Sequence, residues 1–159
     1  MISIVVGLKA LEISRKIGDL QGEGNHLGNL GNAYANLGDT AKAIEHYLQA
    51  LEISRKIGDQ RGEGSDLGNL GSAYASLGDY PKAIEHHLQA LEISRKIGDL
   101  RREGTHLGNL GITYLEFEEY QKSYDYLTKS LAAFKKILPA NHHTVKQIEQ
   151  WREEAGRRL

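Results

Sequence analysis

The polar side chains best placed to do chemistry share one register. Asn25, Asn29, Asn32 and Asn36 are spaced i, i+4, i+7 and i+11, which sets all four on one face of an α-helix. At a step of 40 residues the register reads Ser65, Asn69, Ser72 and Ser76, then Thr105, Asn109, Ile112 and Glu116. An amide side chain both donates and accepts, so a column of them can hold a peptide backbone in two directions at once. Asn is up to ~0.7 kcal/mol worse than Ala as a helix former. Glu, Lys or Gln would serve a merely wet face better. Only the middle position, Asn29, Asn69 and Asn109, is identical in all three copies. The pattern predicts a backbone clamp with a variable rim; the alternative is drift on a solvated face.

Other candidate chemistry falls away. Among the seven His, His46 and His86 sit beside Glu45, Gln49, Glu85 and Gln89 and read as an outer solvated face. His87 takes the place of Tyr47 and reads as core. His142 and His143 open the last helix and read as surface. No pair has the HExxH arrangement with a carboxylate base, so no metal is expected. No nucleophile, acid and base converge, and carboxylates are distributed as caps and helix pairs such as Glu52–Lys56. The set of catalytic residues is therefore empty, no cofactor is expected, and the chain is expected not to be an enzyme. Gly22, Gly24 and Gly28 form GxGxxxG, but no strand precedes them, so no phosphate loop is read there.

Bulk properties narrow the partners. The net charge is -1, from 20 basic and 21 acidic residues, so there is no basic footprint for nucleic acid. With no Cys, disulfides and thiolate metal sites are excluded, and a cytoplasmic location is the expectation. The apolar run from Ile2 to Val6 is far too short to span a bilayer. It also lacks a basic flank and a cleavage site, so no membrane partner is expected.

The elements that position the register are helices in a repeat. Leu11 to Ala50 and Leu51 to Ala90 differ at nine positions: 20/60, 21/61, 25/65, 26/66, 32/72, 36/76, 40/80, 41/81 and 47/87. A fixed period in this range marks a stacked array, whose core lies between neighbouring units. Leu27, Leu30, Tyr34 and Leu37 define the inner stripe of a first helix over about 20–37. Ala43, Ile44, Tyr47, Leu48, Leu51 and Ile57 do so for a second helix over about 40–57. Gly-Asp pairs at 18–19, 38–39, 58–59 and 98–99 supply a C-terminal stop and the next N-cap. Loops this short force antiparallel packing. Gly31, Gly71 and Gly111 lie beside the Leu stripe and read as points of close helix approach. After Pro139, Val145, Ile148, Trp151 and Arg152 lie along one side of a last helix over about 141–157.

Leu27-x2-Leu30-Gly31-x2-Tyr34 followed by Ala43-x3-Tyr47 resembles the tetratricopeptide repeat, with Leu27 in place of the family's Trp. The match recurs at Leu67, Leu70, Gly71, Tyr74 and Ala83, and at Leu107, Leu110, Gly111 and Tyr114. The period of 40 exceeds the usual 34. With Leu27-Gly28-Asn29, Leu67-Gly68-Asn69 and Leu107-Gly108-Asn109, it resembles the Leu-Gly-Asn repeat adaptors of the Pins type and, more loosely, kinesin light chains. That resemblance implies an all-α fold: an α-solenoid of antiparallel helix pairs in a right-handed superhelix, closed by a C-terminal capping helix. It also implies a protein-interaction scaffold that binds a peptide or protein segment on the concave face of the first helices. Prokaryotic relatives often form sensor arrays of larger signalling proteins, a further alternative.

The expected divisions are 1–18, a half-repeat; 19–58, 59–98 and 99–138, three repeats with the last degenerate; and 139–159, the cap. The half-repeat carries Ile2, Ile4, Val5, Leu8 and Leu11, with Ile17, on an apolar face. A bare apolar face marks an interface, so a homodimer through this segment is the alternative functional expectation.

Overall fold

The structure, a computed structural model, describes residues 2–159 and, at Ile2, the backbone alone. Among the described residues there are eight α-helices and no strand: α1 (Ile2–Ile17), α2 (Leu20–Asn36), α3 (Thr40–Ile57), α4 (Gln60–Ser76), α5 (Tyr80–Lys96), α6 (Leu100–Glu116), α7 (Tyr120–Lys135) and α8 (His143–Arg157). This is the α-solenoid class expected from the repeat. No described helix is long and apolar enough to cross a membrane.

The helix ends follow from the Gly-Asp pairs. Gly58 adopts φ 71°, a left-handed conformation that side chains with a Cβ resist. It turns the chain out of α3, and the next residue caps α4. The Asp59 carboxylate accepts from the Gly62 amide at 2.9 Å. Asp19, Asp39 and Asp99 cap α2, α3 and α6 in the same way, at 2.9, 3.2 and 3.0 Å. Each such cap contributes about 1 kcal/mol. Glu118 occupies the corresponding turn of the third repeat and keeps φ 61° without being Gly.

The chain forms two compact units, Met1–Asp79 and Tyr80–Leu159. In the first, Leu11 of α1, Leu27 and Leu30 of α2 and Ala50 of α3 build one core, with Ile4 and Ile53 packed against it. In the second, Leu91, Leu107, Leu110 and Ala133 form one cluster. Leu127, Leu131 and Phe134 of α7 form another with Val145 and Ile148 of α8. Leu30 and Leu110 are fully enclosed; truncating such a side chain to Ala costs about 2–5 kcal/mol.

Successive repeats are also joined by a recurring ion pair. Arg15 meets Glu23 at 2.7 Å, Arg55 meets Glu63 at 2.8 Å, and Arg95 meets Glu103 at 2.9 Å. The arginines are half-exposed, so each pair contributes about 0–1 kcal/mol. Their value is in register, because each ties a second helix to the following first helix.

Several expected apolar positions are corrected. Leu37 is 63% exposed because it lies beyond the end of α2, as its C-cap. Leu48 and Ile17 are also exposed. Tyr34 is only half-buried; its ring packs on His46 at 5.0 Å, beneath Lys42. His46 is therefore part of an aromatic contact and not a freely solvated side chain.

Candidate binding site on the first helices

In the first unit the polar register is carried by α2 and α4. Asn25, Asn29, Asn32 and Asn36 are exposed along α2. On α4, Ser72 and Ser76 are exposed while Ser65 and Asn69 are half-buried. Their hydrogen bonds divide them by role. The Tyr47 phenol donates to the Asn32 Oδ1 at 2.8 Å, so this amide braces α2 against α3. The hydroxyls of Ser65, Ser72 and Ser76 donate to the carbonyls of Arg61, Gly68 and Ser72, four residues back. Asn29 and Asn69 belong to neither group, and nor do Asn25 and Asn36: their side-chain amides have no hydrogen-bond partner among the described residues.

In the second unit the register runs along α6 and meets α8. Thr105 donates to the Arg101 carbonyl at 3.0 Å, and Asn109 again has no side-chain partner among the described residues. Thr105, Asn109 and Ile112 line a cavity of about 160 Å³. Phe134 of α7 and Gln147, Ile148 and Trp151 of α8 are among its other walls. Glu116, the fourth expected member, is exposed and does not line the cavity. Desolvation raises its carboxyl above the usual range.

The close approaches read from the Leu-side glycines are present. A Cβ on Gly31 would collide with the Tyr47 ring, and one on Gly111 would come 2.5 Å from the Leu127 Cγ. These glycines set the spacing within helix pairs; they do not line the cavity.

Three titratable residues are buried at the repeat seams: Asp66 and His106, which were not expected there, and His87, which was read as core. Asp66 of α4 is 7% exposed and accepts from the Ser54 hydroxyl at 2.8 Å. Burial raises its pKa to about 6, helped by the charges of Asp59 and Glu63 and opposed by the Ser54 bond. His106 holds the same register on α6, and His87 lies on α5. Both are buried. The Nδ1 of His87 and both ring nitrogens of His106 lack partners among the described residues. Burial pushes His87 down to about 3, with His106 and His86 adding to the shift. It pushes His106 down to about 4, with Arg102 adding and Asp99 opposing. The signal in the sequence was the register itself: positions 66 and 106 directly precede the buried Leu67 and Leu107. Among the described residues no group of three His, Cys, Asp or Glu could hold a metal.

The expected self-association residues divide. Leu11 belongs to the core of the first unit and Ile4 is half-buried against it, so both are removed from that set. Val5 and Leu8 are exposed. The expectation for Ile2 falls on a side chain outside the described residues.

A family profile described as Tetratricopeptide repeat matches residues 7–56 and 66–136. The chain belongs to the tetratricopeptide repeat family. Among solved structures it is similar to the apo form of RapI, with TM-score 0.86 and 19% identity over 97% of this chain and 42% of that one. It is similar to a putative kinesin light chain of Podosopora anserina with nearly identical repeats, with TM-score 0.81 and 18% identity over 98% and 76% of the two chains. It is also similar to BtubC of P. vanneervenii, with TM-score 0.79 and 17% identity over 98% and 70%. At these identities the likeness is one of fold. Among curated proteins, none matches the chain.

Proposed function

We propose that the chain is a non-catalytic protein-interaction scaffold that takes an extended peptide or protein segment along its first helices. The observation that carries this is the unpaired amide at one register of α2, α4 and α6. Asn29, Asn69 and Asn109 each present donors and an acceptor with no partner among the described residues; Asn25 and Asn36 on the rim of α2 are free in the same way, while Asn32 and Ser72 are engaged. The Leu-Gly-Asn register and the period of 40 support a place beside the Pins-type adaptors.

The test uses peptides selected against the whole chain by display. Changing Asn29, Asn69 and Asn109 together to Ala should leave the helical content intact. It should weaken the selected peptides by about 0.5–1.5 kcal/mol per lost neutral hydrogen bond. Unchanged affinity, or loss of the fold, would remove the clamp.

A second reading, self-association through α1, is favoured by Val5 and Val6. They are 63% and 61% exposed, where α3 has Glu45 and His46 at the same register. Light scattering at micromolar concentration should show a dimer that Val5→Glu with Val6→His dissolves. A monomer throughout that range ends this reading.

A further inference from the structure

The third repeat departs from the others at two positions that line one cavity. Ile112 stands in the register of Asn32 and Ser72, and Phe134 stands in the register of Ser14, Ser54 and Ser94. Both changes replace a polar side chain with an apolar one. Both residues line the space between α6 and α8, and the chain's single Trp, Trp151, lines it as well. The apolar change therefore coincides in place with the arrival of the last helix.

Phe134 seats α8 by packing with Val145 and Ile148. Beside it about 160 Å³ stays open, and Ile112 and Trp151 stay half-buried. An apolar cavity of about 150 Å³ suffices for a benzene ring, so the space suits one leucine or phenylalanine side chain. No lining residue is charged. An anionic group placed there would lose its hydration without gaining a cation, which is costly. Asn109, on the same wall, has its amide free for a ligand's backbone.

We propose that the cavity between α6 and α8 is an anchor pocket for one uncharged apolar side chain of a bound peptide, whose backbone Asn109 holds. This rests on the scaffold reading and narrows it, because it disfavours recognition of a terminal carboxylate or a phosphate in this pocket.

The test is an NMR titration of the whole chain with two probes, N-acetyl-leucine N-methylamide and anionic N-acetyl-leucine. The neutral probe should move the Trp151 indole N–H, the Asn109 amide and the Ile112 and Ile148 methyls in a saturable way. The anion should bind about fivefold more weakly or not at all. Ile112→Asn, which restores the residue of the first repeat, should weaken the neutral probe roughly fivefold while the remaining spectrum stays folded. Ile112→Ser, the residue of the second repeat, stands in if the Asn variant unfolds. No shifts at these groups, equal binding of the two probes, or indifference to both variants would overturn the pocket. Display-selected peptides that still bind while ignoring Ile112→Asn would leave the scaffold reading standing without it.

Discussion

The Tyr47 phenol and the Asn32 amide are joined at 2.8 Å, and the two positions change together from repeat to repeat. The pair is Ser72 with His87 in the second repeat and Ile112 with Leu127 in the third. Tyr47 is buried whereas Asn32 is exposed, so water can replace a lost partner on the Asn side only. Tyr47→Phe should cost about 0.5–1.5 kcal/mol. Asn32→Ala should cost less in a Tyr47→Phe background than in the natural chain. Urea unfolding of the four-member cycle measures this, and additive effects would show that the bond has no energetic weight.

Acid should act on the two units with opposite sign. Asp66 titrates near 6 when folded against 3.8 ordinarily, so the native first unit binds its proton more readily than the unfolded chain. Its contribution improves as the pH falls from about 6 towards 4. His87 and His106 are held near 3 and 4 against 6.5. Their neutral forms contribute fully above 6.5, and that stability drains away below it. Between pH 7.5 and 5, amide-exchange protection in α3 and α4 should rise while that in α5 and α6 falls. Changes of roughly tenfold correspond to one unit of linkage. A parallel change in both units would contradict these assignments.

Two glycines of α2 should respond oppositely to a methyl group. A Cβ on Gly28 meets only the Asp66 carboxylate at 3.8 Å, an ordinary contact, so Gly28→Ala should gain about 0.5–1 kcal/mol of helix propensity. A Cβ on Gly31 collides with the Tyr47 ring. Gly31→Ala should lose about 1–3 kcal/mol from overpacking. Thermal melts of both variants decide the matter, and equal shifts would mean the helix pair is free to slide apart.

Glu118 holds φ 61° where the first two repeats place Gly38 and Gly78. A left-handed residue with a Cβ costs roughly 1–2 kcal/mol, part of which Gly gives back through its looser unfolded chain. Glu118→Gly should therefore raise stability by about 0.5–1 kcal/mol. Chemical denaturation that shows no gain would place compensating contacts at the Glu side chain.

The helices were legible because their signals are local. The Gly-Asp pairs fixed where α2, α3 and α4 begin, and Leu27 and Leu30 fixed the buried side. What escaped is what depends on a neighbour. Leu37 has the right spacing for the core but lies past its helix end. Leu11 looked like part of a bare face until α2 was seen to cover it. Asn32 reads as a clamp residue from its own helix, and only the position of Tyr47 on α3 makes it a brace. Its signal was the joint change at 32/72 and 47/87. The cavity needed α8 to be placed; its signal was Ile112 and Phe134, apolar residues in registers that are polar in the other repeats.

The seams are written in residues of identical register: Arg15 with Glu23, Arg55 with Glu63, Arg95 with Glu103. Each of α1, α3 and α5 therefore presents the same half-joint, and each of α2, α4 and α6 the half that completes it. A segment of 40 residues can be copied or excised without composing a new joint. Length in such a chain is then a heritable variable that changes in whole steps. The near-identity of Leu11 to Ala50 and Leu51 to Ala90 is the trace such a duplication would leave.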